Sequence, residues 1–161
     1  MKRSYLLVWL SFFIIFGWVN PLAGHAGPRY GLSDGQTLYV PAYSHIYSGA
    51  RDTPFLLTIT LSIRNVDPDH PITIIRADYY ETAGKHLRNY VEKPIKLAPY
   101  GSTRFVVSES DKSGGSGANF IVQWKADKPV NPPIVESVMI STKAAQGISF
   151  TSRGRAIITE K

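Results

Sequence analysis

FLLTITLSIRN, from Phe55 to Asn65, decides how the rest of the chain is read. Phe55, Leu57, Ile59, Leu61 and Ile63 share one face of an extended segment, while Thr58, Thr60, Ser62 and Arg64 share the other. A side-chain period of two belongs to a strand with one face in a core and one in water. A helix would scatter the same apolar residues around its circumference.

The same period runs outward in both directions. Gln36–Tyr43 precedes the decisive stretch, with Pro41 suited to an edge or a bulge. Ile72–Thr82 and Lys85–Val91 flank Ala83-Gly84 and read as a hairpin. Ser102–Ser108, Asn119–Lys125, Ile134–Thr142 and Gly147–Ile158 follow, the last broken at Arg153-Gly154. Within Asn119–Lys125, Phe120, Val122 and Trp124 fall on one face and join the predicted core. Proline- and glycine-rich turns separate the runs: 67–71, 97–101, 113–117 and 131–133. About seven or eight short strands spaced this way predict an all-β, antiparallel sandwich of immunoglobulin-like type, with a small barrel as the alternative.

The amino terminus reads differently. Lys2 and Arg3 precede an uncharged apolar run from Leu6 to Val19, and small residues around Gly24 and Ala26 follow. That order is a secretory signal peptide, predicted to occupy residues 1–26, with a single domain over 27–161. The run is too short for a membrane span, so none is expected after cleavage. Without Lys2 and Arg3, the 18 basic residues become 16 against 12 acidic ones. That mild basicity is scattered, with no basic run and no arginine-rich or aromatic-basic pattern, so nucleic acid is not an expected partner.

The chain has no cysteine. Disulfides, thiolate metal sites, a cysteine nucleophile and a lipoprotein anchor are therefore excluded. The expected location is the periplasm or the exterior of a bacterium, with the fold held by its core alone.

Motifs for chemistry do not survive their required contexts. Gly114-Gly115-Ser116-Gly117-Ala118 fits the G-x-S-x-A pattern of a nucleophile elbow, but that elbow needs a strand before it and a helix after it. NFIVQW, which follows, reads as a strand. No phosphate-binding loop of either glycine-rich type is present. His45, His70 and His86 lack paired metal-ligand spacing, although distant ligands can meet in a fold. Asp67 and Asp69 begin like a calcium loop that lacks its glycine and distal glutamate. Asp78 shares a strand face with Arg76, which predicts a local ion pair. No cofactor, metal site or catalytic residue is expected.

Five stretches together resemble a family of exported bacterial proteins known as domain of unknown function 3124. They are YVPAYSHIY at Tyr39–Tyr47, LSIRN at Leu61–Asn65, Asp78-Tyr79-Tyr80, GGSGANFIVQW at Gly114–Trp124 and GISFTSRGR at Gly147–Arg155. The resemblance implies export and no established activity.

The favoured function is a binding or interaction module of the bacterial envelope, recognising a polar, anionic or glycan-like ligand. Tyr39, Tyr43, Tyr47, Tyr79, Tyr80 and Tyr90 motivate it, since tyrosine offers an apolar face and a polar tip. The alternative is a structural subunit docking into an envelope assembly through a strand edge, and a third reading is an enzyme with a site outside known motifs. Counting chain reversals places the loops 44–54, 109–118 and 143–146 at one end of the sandwich. That end would gather Tyr43, Ser44, His45, Tyr47, Asp111, Ser116 and Asn119 as candidate ligand-binding residues. Its partner is expected to be an envelope protein or a polar ligand.

Overall fold

The computed structural model describes residues 31–47, 52–142 and 147–157. The predicted signal peptide and the 143–146 loop lie outside the described residues. In chain order the strands are β1 (Ser33–Pro41), β2 (His45–Tyr47), β3 (Pro54–Leu56), β4 (Thr58–Arg64), β5 (Ile72–Tyr80) and β6 (His86–Asn89). They continue with β7 (Ile95–Leu97), β8 (Ser102–Val107), β9 (Asn119–Val130), β10 (Ile134–Ser141), β11 (Ile148–Arg153) and β12 (Arg155–Ile157).

Every pairing between them is antiparallel. Sheet one runs β12-β1-β9-β5-β6, and β7 lies beside the other half of β5. Sheet two runs β11-β10-β4-β8, and β2 with β3 forms a small ribbon of its own. The fold is an antiparallel β-sandwich, and the sheets do not close into a barrel.

The decisive stretch behaves as its pattern demands at most positions, although Ser62 on its outer face is also buried. Leu57, Ile59, Leu61 and Ile63 are fully buried, and so are Phe120 and Val122 of β9, with Trp124 nearly so. Phe55 is only half-buried, because the strand breaks at Leu57 and Phe55 belongs to β3. Among the described residues there are twelve strands rather than seven or eight: β2 and β7 lie inside segments expected to be loops, and the Phe55–Asn65 and Gly147–Ile158 runs are each split in two, at Leu57 and at Gly154. Three-residue strands are too short to show a period. The expected hairpin is present as β5–β6, with Gly84 at φ 85° in its turn. The Arg76–Asp78 ion pair is present at 2.6 Å.

One seam between the sheets is closed by the chain itself. β11 lies in sheet two and β12 in sheet one, with Gly154 alone between them. The Gly154 N–H donates to the Val135 carbonyl at 2.8 Å. A Cβ at Gly154 would lie 3.1 Å from both that carbonyl and the Val40 side chain, so the corner is tight for any larger residue.

Candidate functional site

Of the three loops that sequence counting gathers at one end, the Ser44 and Gly115 segments do meet there, while 143–146 lies outside the described residues. The Ser44 N–H donates to the Gly115 carbonyl at 3.0 Å, and the Gly115 N–H donates back to the Ser44 hydroxyl at 2.8 Å. Thr82, beyond β5, joins them: its N–H and its hydroxyl both donate to the Gly114 carbonyl. Ser141, at the end of β10, donates to Glu109 at 3.1 Å. These contacts explain the glycines, since a Cβ at Gly114 would collide with the Tyr79 hydroxyl.

The candidate residues at this end are largely committed to structure. Ser44 is fully buried and its hydroxyl is engaged with Gly115. Tyr43 packs edge-on against Phe150 at 5.6 Å between ring centroids. Asp111 accepts from the Ser113 N–H and hydroxyl. Asn119 is the first residue of β9, opposite both Pro41 and Tyr80. His45 and Tyr47 form a pair, with Nε2 at 3.2 Å from the phenol oxygen, and Tyr47 is exposed. Ser116 is half-buried in the glycine turn.

The tyrosines do not converge. Tyr79 is buried beside Phe120, and Tyr90 packs between Phe105 and Phe120. Burial pushes both phenols above their ordinary value, and the Asp111 charge adds to the shift. Tyr39 and Tyr47 are exposed on separate elements.

The opposite end holds a tighter polar cluster. Asp67 is buried, and its carboxylate accepts from the N–H groups of Asp69, His70 and Asn131 and from the Asn131 side-chain amide. His70 Nδ1 lies 3.1 Å from the same carboxylate. These donors, the Asn131 N–H foremost, hold the carboxyl well below the usual carboxylate range. Asp67, Asp69 and His70 lie close enough to hold a cation, but both Asp67 oxygens already serve protein donors. A cation would have to displace those donors. The cluster is a loop clamp.

Sequence reasoning missed the outer face of sheet two. Register puts Arg64 opposite Ser102, Ser62 opposite Arg104 and Thr60 opposite Val106. Opposed residues of an antiparallel pair share a face, so two guanidinium groups flank a row of hydroxyls. A groove of about 450 Å³ runs there, lined among others by Thr60, Ser62, Arg64, Tyr100, Ser102 and Arg104. Arg64 Nε donates to the Ser62 hydroxyl at 3.1 Å, and Nη2 lies 3.8 Å from Glu136. Among the described residues Arg104 has no ion-pair partner.

Tyr100 stands at one end of the groove, 73% exposed. Its φ is 58°, the left-handed region that bulky residues avoid. The turn is held from below by Asn65, the residue after β4. Its N–H donates to the Gly101 carbonyl at 2.8 Å, and its side-chain amide reaches the carbonyls of Ala98, Leu97 and His70. Asn65 is itself buried and its Oδ1 accepts from the Asp67 N–H, so the strained turn is tied to a fixed, fully engaged residue. The signal that could have revealed this site was in the sequence. Arg64 and Arg104 sit on the water faces of two predicted strands, and pairing those strands brings them together.

The fold is an all-β sandwich, and the outer face of sheet two carries a polar groove beside two arginines. The chain belongs to the family described as Protein of unknown function (DUF3124), whose model matches residues 35–157. No curated protein matches it. A crystal structure of Thermotoga maritima 1070 is similar at 12% identity and a TM-score of 0.44, covering 74% of this chain and 92% of that one. Among the described residues no helix is long and apolar enough to cross a membrane.

Proposed function

We propose that this domain is a non-catalytic binding module of the bacterial envelope, exported by its amino-terminal signal. It takes a polar, anionic or glycan-like ligand in the Tyr100 groove of sheet two. The observation that carries this reading is Tyr100 itself, a bulky aromatic kept in a strained conformation and left open to water. Such strain persists where the surroundings enforce it, and it clusters at ligand sites.

The neighbouring chemistry supports the same class of ligand. An aromatic face stacks on the apolar face of a sugar ring or on a planar group, hydroxyls exchange hydrogen bonds with it, and guanidinium groups bind carboxylate or phosphate in a fork. The groove-lining residues include no carboxylate and no imidazole, which favours binding over acid–base catalysis. The loop end with His45, Tyr47 and Ser116 is a weaker candidate, because Ser44, Asp111 and Tyr43 are already engaged there.

The test is a nuclear magnetic resonance titration of the exported chain with an oligogalacturonate, a neutral maltodextrin and inorganic phosphate, each in turn. Shift changes centred on Tyr100, Ser102 and Arg104 for at least one probe are expected. Changes confined to His45, Tyr47 and Ser116, or no change with any probe, would refute the reading.

A further inference from the structure

The outer strands of the two sheets are unequally protected. A free edge presents unpaired N–H and carbonyl groups, and proteins blunt it with short strands, bulges, lysine, proline or central charges. In sheet one, β6 and β7 are short pieces, a register shift adjoins β6, and β7 carries Lys96. β12 has three residues. In sheet two, β8 carries Arg104 at mid-strand.

β11 has none of these devices. ISFTSR pairs with β10 from Ser141↔Ile148 to Glu136↔Arg153 without a register shift. It contains no proline or lysine and no charge before Arg153. Among the described residues no strand pairs with its other edge. Its inward-facing Ile148, Phe150 and Ser152 are only half-buried, whereas Val135 and Met139 on β10 are buried. Among the described residues, β11 is therefore an outer strand with its free edge unprotected.

We propose that a second copy of this chain covers that edge, pairing its own β11 antiparallel to the first about a two-fold axis through Phe150. The pattern is self-complementary at that register. Phe150 meets Phe150 of the other copy on the inner face, and Ile148 meets Ser152. On the outer face Ser149 meets Thr151. Aromatic pairs and Ser/Thr pairs are favourable cross-strand combinations. The two Arg153 side chains fall at opposite ends, so like charges do not oppose each other. An isologous contact of this kind closes on itself as a dimer. Because the axis stands perpendicular to the sheet, both Tyr100 grooves face the same side. The pairing itself does not depend on what those grooves bind.

The test uses the exported chain, as the cell processes it, in sedimentation equilibrium over a range of concentrations. The wild type is expected to be a dimer. Ser149→Lys combined with Thr151→Lys sets like charges opposite one another and should give a monomer, as should the matching Glu pair. Both positions are exposed, and circular dichroism checks that each variant is folded. Mixed, the Lys and Glu variants should re-form a dimer. A monomeric wild type, a Lys variant that still dimerises, or a mixture that stays monomeric would each overturn the proposal.

Discussion

The side-chain amide of Asn65 donates to the Ala98 carbonyl at 3.0 Å, tying the last turn before β8 to the end of β4. One buried residue thus sets where Tyr100 stands relative to Arg64. Asn65→Ala would leave the carbonyls of Ala98, Leu97 and His70 without this donor. A loss of about 1–3 kcal/mol is expected in urea unfolding, since buried acceptors would be left unpaired. Exchange of the Gly101 amide, which donates to the Ala98 carbonyl, should quicken at the same time. A variant as stable as the wild type would show that the tie is not structural.

Ser44 performs the corresponding task at the other end. Ser44→Ala removes the acceptor of the Gly115 N–H and should cost about 1–2 kcal/mol. Gly115→Ala should cost more, because φ is 83° there and a Cβ would meet the Thr82 hydroxyl. Thermal melts of the two variants, ranked in that order, check the clamp. The reverse order would refute it.

Acid stability should depend on Asp67. Its ordinary pKa is 3.8, and the folded value is lower because Asn131, Asp69 and His70 donate to the charged form. A depressed folded value contributes stability that is complete above the unfolded value and is lost as pH falls below it. Urea midpoints should therefore decline as pH drops through about 4. Asp67→Asn turns an amide donor toward the Asn131 donors, so it should lower stability near neutral pH and flatten the acid decline. An unchanged pH profile in that variant would count against the clamp.

The core makes a quantitative contrast within one stretch. Leu61→Ala should cost about 2–5 kcal/mol, as for a fully buried leucine. Phe55→Ala should cost less than a buried phenylalanine, because Phe55 lies half-buried on the ribbon. Equal, large losses in denaturant titration would mean that Phe55 belongs to the central core.

These contrasts mark what the sequence can convey. The period of two from Leu57 to Arg64 and from Phe120 to Trp124 made the sandwich and its centre readable, because burial on one face leaves a long pattern. Counting reversals brought the Ser44 and Gly115 loops together for the same reason, since antiparallel strands alternate ends. The pattern faded for β2, β3 and β7, whose three residues each hold no full repeat. Tyr100 was illegible for a different reason. In Pro99-Tyr100-Gly101 the glycine is the natural occupant of a left-handed position, yet Tyr100 takes it because Asn65, distant in sequence, holds the turn. Long-range hydrogen bonding of this kind leaves no local trace.

The central claim is that Tyr100 is kept strained for the sake of a ligand, and Tyr100→Gly tests it most directly. Glycine accepts the left-handed conformation without strain, which offsets its greater freedom in the unfolded chain. The variant should therefore melt no lower than the wild type. The decisive measurement is calorimetric titration of both proteins with whichever probe perturbs the groove. The account predicts affinity at least about tenfold weaker in Tyr100→Gly, equivalent to roughly 1.4 kcal/mol. Equal affinity in the two proteins would contradict it.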